Sequence, residues 1–363
     1  MNQVANVGLR LIVIGSLCLV AWLGEGSLFA AEPKKGGTLR FGVSRNPTSL
    51  NPVVRTQSID ESVRSLVYEA PLGHDRNLEP LPGLAQSWTV STDGLIYVFH
   101  IRPGVKFHNG SPLSAMDLRW SIEYGLDPKN GATGRADLAV IERVETEEPD
   151  AIRIQLKSPY APFLSAMSSI QVLPVFARDS IQAGELTPDA YPPGTGPFRF
   201  GSWRSGQELR LARFEGYWQK GLPYLDEIRF LVVPDEASRM NAVRAGDLDV
   251  VEEISREQIV RIRERKVPGI GLALAEAASF PRLGINHCRP PFNDRRVRQA
   301  FAFAVNKQDL LDAVFSGLGQ VTNQRFLRGS RWFITDVPDR KQDPARAKSL
   351  LAEIGRASCR ERV

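Results

Sequence analysis

At 363 residues, with 42% hydrophobic and 24% charged residues, the chain is globular and long enough to bury two or three domain cores. Its formal charge of +5 is spread over interspersed Lys and Arg, and Arg356, Arg360 and Arg362 against Glu361 supply two of those charges. No basic stripe of the kind nucleic acid demands is left.

In chain order, the N-terminus carries one cation, Arg10, then an apolar run from Leu11 to Leu23, then small and polar residues ending SLFAAEPKKGG. The run is short for a membrane-spanning helix and suits an export signal, residues 1–30, cleaved near Ala30. Cys18 offers a lipoprotein anchor instead, but Leu17 stands where that pattern wants a small residue, so cleavage is favoured. With Cys18 removed and Cys359 in an aperiodic tail, only Cys288 remains and no intrachain disulfide is available. His287 beside Cys288 makes too small a set for a metal.

Leu39, Phe41 and Val43 alternate as a strand that runs into a loop closed by Pro52. A helix follows, with Ser58 and Glu61 as its capping box and Val63, Leu66 and Val67 on one face. Thr92, Asp93 and Gly94 form the turn of a hairpin whose second strand alternates Leu95, Tyr97, Phe99 and Ile101. Ser114, with Asp117 three residues on, caps the next helix, and AIRIQLK sets Ile152, Ile154 and Leu156 against a wet face. Leu209 and Leu211 mark a strand, EIRFLVV another, and a helix from about Ala237 to Ala245 stops at Gly246 before LDVV. After RLGIN and the break at Pro290 and Pro291 come two helices. The first has a buried stripe of Val297, Ala300, Phe301 and Ala304; the second is capped by Asn306 and Asp309 and ends at Gly317. A last helix signal runs through Leu350, Leu351 and Ile354, and its periodicity fails at Arg356. The class is mixed α/β.

Catalysis finds little support. The four histidines, His74, His100, His108 and His287, share no helical face, and no Walker loop, GxSxG elbow or HExxH occurs. Glu145, Glu147, Glu148 and Asp150, beside a turn into an amphipathic strand, read as a solvated edge. His108-Asn109-Gly110 reads as turn chemistry ahead of the Ser114 cap. The chain is expected to be no enzyme and to need no metal or cofactor.

Five segments, in order, resemble one family, the periplasmic solute-binding proteins of ABC importers for peptides, nickel and related solutes. FHIRPGVKFHNGSPLSAMDLRWSIE is similar to its most recognisable signature; GTGPFRFGSW, YLDEIRFLVVPDEASRMNAVRAGDLDVV, LGINHCRPPFNDRRVRQAFAFAVNKQDLL and DPARAKSLLAEIG resemble further blocks, together covering Gly36 to Gly355. The resemblance implies a two-lobe periplasmic-binding-protein fold of type II with an extra domain. Lobe I would comprise residues 31–57 and 174–280, the extra domain 58–173, and a partial lobe II 281–354. The rest of lobe II is expected to be missing. IGRASCRERV can be encoded by DNA resembling a sequencing-library adaptor, so residues 355–363 are expected to be non-native.

The resemblance further implies a periplasmic protein, monomeric, that captures a small solute by lobe closure and hands it to a membrane permease and its ATPase. Di- or oligopeptide is the leading class, with nickel chelate, opine and oligosaccharide open. Arg55, Thr56, Gln57 and Ser58 match a family segment that lines the cleft, and Gly194, Thr195 and Gly196 match a loop near the lobe crossover. Gln171, in the crossing segment, is a weaker candidate. For all of these, turn chemistry alone is the competing reading. An exported interaction protein, chaperone or sensor using the same fold without transport is the alternative function.

Overall fold

The computed structural model describes residues 33–54, 57–147, 150–179, 192–265, 267, 269–273, 284–324, 326, 330, 332–337 and 340–360. The expected export signal with Cys18, and Arg55 and Thr56, lie outside them, as does Glu148 of the acidic edge. The chain divides into two units, Met1–Gly36 and Gly37–Val363. Of the first, residues 33–36 are described, without regular structure; the elements below belong to the second. No helix among the described residues is long and apolar enough to cross a membrane.

Two sheets organise the described part of that unit. The first has five strands: β1 (Thr38–Val43), β8 (Phe198–Arg204), β9 (Glu208–Arg213), β10 (Glu227–Val232) and β11 (Val250–Val251), in the order β11-β1-β10-β9-β8. β1 runs parallel to both of its neighbours, β10 and β11, whereas β10, β9 and β8 are antiparallel. The alternation read in the sequence sets one face inward: Val43, Leu209, Leu211, Ile228 and Phe230 are buried in one core. Helix α1 (Ser58–Val67) lays Ile59, Val63 and Val67 into the same core. A boundary at residue 58 would assign this helix to the inserted segment, but its buried face packs on the five-stranded sheet.

The second sheet has the order β4-β5-β7-β6, antiparallel throughout, from β4 (Ala85–Val90), β5 (Ile96–Ile101), β6 (Ile141–Glu147) and β7 (Ala151–Leu156). Phe99, Ile152 and Ile154 are fully buried there, with Leu118 and Ile122 of helix α2 (Ala115–Leu126) and Phe163 of α4 (Phe163–Met167) packed on them. A short hairpin of β2 (Leu72–His74) and β3 (Pro80–Pro82) and the small helix α3 (Arg135–Leu138) complete this part. The Ser114–Asp117 box forms as read, the Asp117 carboxylate accepting from the Ser114 N–H at 3.0 Å.

Helix α5 (Glu236–Ala245) starts at the Asp235 cap and ends at Gly246, which takes the left-handed φ of 80° that suits glycine. Beyond α6 (Arg256–Arg265) come α7 (Arg295–Ala304), α8 (Lys307–Phe315) and α9 (Pro344–Arg360). Asn306 caps α8 as read, accepting from the Gln308 and Asp309 N–H groups. The stripe expected on α7 is corrected. Ala300 is buried with Ala347 and Leu350 of α9, but Phe301 is 39% exposed, Ala304 is exposed and Val297 only half-buried, and Phe303 packs on the cluster instead, because α9 meets α7 on the Ala300–Phe303 side. The backbone of α9 stays helical to Arg360, past the point where apolar periodicity ends.

Candidate functional site

Because β1 and β11 are parallel, their carboxyl ends open on the same side of the sheet, the position where α/β sheets offer a crevice to ligands. Ser44 and Arg45 leave β1 there, and Glu252 and Glu253 leave β11, the Glu252 N–H donating to the Gly42 carbonyl at 3.4 Å. The start of α1 closes the third side with Gln57, Ser58 and Ile59. Together these residues line an open cavity of about 260 Å³.

The wall is tied in place by two buried charges on α1. Asp60 is fully buried and accepts from the Thr48 N–H and the Thr48 hydroxyl, each at 2.8 Å, and from the Gln57 N–H at 3.3 Å. The helix is therefore capped by Gln57 with Asp60, one residue earlier than the Ser58–Glu61 box read in the sequence; Glu61 instead pairs with Arg64. Arg64, 2% exposed, donates to the carbonyls of Asn51 at 3.0 Å and Val54 at 2.7 Å, so the loop from Thr48 to Gln57 is tied to α1 at several points.

On the opposite wall, Glu253 adopts a left-handed backbone, φ 54°, costly for a residue with a Cβ. It is held there by buried Arg239, which donates to the Glu253 carbonyl at 3.1 Å, and by the Ser44 hydroxyl, which donates to its carboxylate. Glu252 is half-buried, and its pKa is raised, first by that burial and then by the charge of Glu253, with Arg239 opposing.

Of the residues singled out in the sequence, Gln57 and Ser58 thus line the cavity. Gly194, Thr195 and Gly196 do not; they are buried against the end of α1. The Gly196 N–H donates to the Val67 carbonyl at 3.0 Å, and a Cβ built on Gly194 would stand 2.1 Å from that same oxygen. Here glycine permits backbone to approach backbone. Gln171 sits half-buried in the turn after α4, away from the cavity lining.

His108 docks on the same glycines. Its backbone N–H donates to the Gly194 carbonyl at 2.9 Å, and its Nε2 lies 2.9 Å from the Gly196 carbonyl, which can only accept, so Nε2 carries the proton. Burial lowers its pKa to about 4, keeping the ring neutral. Close by, the Glu69 carboxylate accepts from Tyr217 Oη at 3.0 Å and Trp218 Nε1 at 3.1 Å, and burial pushes its pKa up. These groups join segments; none lines the cavity. Sequence reading missed Ser44, Arg45, Glu252 and Glu253, whose signal was positional: each follows directly on a strand that ends beside its parallel neighbour.

Comparison with known proteins agrees with this architecture. Residues 79–357 match the family described as "Bacterial extracellular solute-binding proteins, family 5 Middle". The glutathione-binding protein GsiB of Pectobacterium atrosepticum is 28% identical over 308 residues, 85% of this chain and 59% of that protein, so the chain spans under two thirds of this relative. Among solved structures, the periplasmic binding protein AgaA of Agrobacterium tumefaciens R10 in complex with agropinic acid superposes with a TM-score of 0.71 at 27% identity, covering 88% of this chain and 64% of that one. NikZ of Campylobacter jejuni in complex with Ni(L-His) gives 0.74 at 26% identity, covering 87% and 63%. The architecture is that of the two-lobe periplasmic binding proteins, and the chain belongs to the family 5 bacterial extracellular solute-binding proteins.

Proposed function

We propose that the chain is the solute-capturing component of an ABC importer, working in the periplasm after removal of its export signal and delivering its solute to a membrane permease and ATPase. The observation that carries this reading is the polar cavity at the carboxyl ends of β1 and β11, walled by side chains held on buried anchors. The relatives' ligands, glutathione, agropinic acid and nickel-bound histidine, are small amino-acid-derived molecules, which favours a peptide or related solute here. In this reading the five-stranded sheet with α1 is the first lobe and residues from about 71 to 175 are its insert. Solute then favours closure only to the extent that it binds the closed state better than the open one.

A thermal-shift screen of the complete gene product against peptide, metal-chelate and sugar collections tests this. The expected result is a raised Tm with one solute class and recovery of that solute unchanged. Chemical turnover of the solute, or no stabilisation by any collection, would overturn it.

A further inference from the structure

Arg256 breaks the charge rule of its own helix. It is the first residue of α6, directly after Ser255, whose hydroxyl accepts from the Gln258 N–H at 3.3 Å, and the positive end of a helix repels a cation. The guanidinium leaves α6 and lies over the ring of Phe315, 4.4 Å from its centroid. Phe315 is the last residue of α8, the end at which a helix attracts cations. Among the described residues the Arg256 side chain makes no ion pair or hydrogen bond, so the ring is what engages it.

Both ends of this contact are fixed. The Ser255 N–H donates to the Glu236 carboxylate at 3.0 Å, tying the start of α6 to the start of α5. At the other end, the Gly317 N–H donates to the Leu311 carbonyl at 3.2 Å and closes α8 through Ser316, whose φ is 51°. The preceding helix α7 is packed on α9 through Ala300, Ala347 and Leu350, and the Asp343 N–H donates to the Phe303 carbonyl at 2.8 Å. The contact therefore runs from the elements that follow the five-stranded sheet to the group built by α7, α8 and α9. Arg256 itself lies outside the cavity lining.

We infer that Arg256 and Phe315 form a latch between the two lobes, a contact that favours the closed cleft without touching solute; the inference rests on the importer reading and its lobe assignment. A contact made only when the lobes meet lowers the free energy of the closed state alone, and the population of that state sets the apparent affinity. A cation on an aromatic face near the surface is a weak interaction, so the latch biases closure and leaves solute to complete it. Its loss shortens the time solute stays and leaves the rate of arrival alone.

The test uses the complete gene product and whichever compound of the peptide, metal-chelate and sugar collections raises its Tm most. By titration calorimetry and stopped-flow mixing, Arg256→Gln and Phe315→Leu are each expected to weaken Kd about two- to fivefold, through faster dissociation at an unchanged association rate. The double variant should bind no more weakly than either single one, because the two side chains act as one contact. Arg256→Lys, which keeps the cation, should bind more tightly than Arg256→Gln. An unchanged Kd in Arg256→Gln, a loss carried by slower association, or losses that multiply in the double variant overturn the latch and leave the importer reading standing. Failure of every compound to bind the folded wild type overturns both.

Discussion

The two sheets of this molecule are built from similar alternating strands and serve different ends. The four-stranded sheet is antiparallel throughout, so successive strands leave it at opposite edges, and its inner face is filled by Phe99, Ile152, Ile154 and Leu156, each no more than 1% exposed. The five-stranded sheet contains a parallel set, β10-β1-β11, and parallel strands deliver consecutive polar residues to one rim. Topology alone makes a cavity possible at that rim. The difference teaches that hydrophobic content does not locate the cavity here; strand direction does.

The sharpest way to break the comparison is through the antiparallel core. Phe99→Ala removes a fully buried ring that lies 6.5 Å from Phe163 between centroids, and should cost about 3–5 kcal/mol by thermal or urea unfolding. Solute affinity of the fraction that stays folded should be unchanged. A large loss of affinity in folded protein would mean that the two sheets are not separable in function.

Acid sharpens it further, because His108 and Glu208 respond at different pH. The unfolded chain protonates His108 near 6.5, while the folded state resists until about 4, so the unfolded form binds more protons between those values and stability falls as pH drops through that window. The fall should reach about 3 kcal/mol at its acid end. His108→Gln, which keeps a donor for the Gly196 carbonyl, should flatten this limb in equilibrium unfolding measured from pH 7 to 4. Burial would raise the pKa of Glu208, but hydrogen bonds from Arg229, Arg204 and Arg210 outweigh it and bring it to about 2, so its loss of stability follows later, as pH falls below 4.5. Glu69 acts in the opposite sense: with its pKa raised by burial, its contribution is lost as pH rises. A difference in stability between wild type and His108→Gln that stays constant from pH 6.5 to 4 would contradict the His108 assignment.

The smallest effect belongs to the helix cap. Ser114→Ala removes the hydroxyl that bonds Asp117 at 2.7 Å, and should cost about 1 kcal/mol in chemical unfolding, with no change in solute affinity.

How far the sequence foretells all this follows the range of each interaction. Alternation at Ile152, Ile154 and Leu156 and the Ser114–Asp117 box are local, and both appear as read. The cap of α1 slipped by one residue because a Ser followed by Glu competes with Gln57 and Asp60 on pattern alone; what decides it is Thr48, twelve residues away, which draws the Asp60 carboxylate inward. Gly194 and Gly196 were legible as close-approach glycines, but what they approach, the end of α1, was not. The cavity itself joins residues near 45, 57 and 252, and no local pattern links positions that far apart.

The central claim is that solute sits at the parallel rim. Hydrogen–deuterium exchange of the complete gene product, with and without the solute that raises its Tm most, tests it directly. The account predicts new protection at Ser44, Arg45, Ser58 and the Glu252–Glu253 pair, with the β4–β5 hairpin unchanged. Protection confined to that hairpin, with the rim exchanging as before, would contradict it.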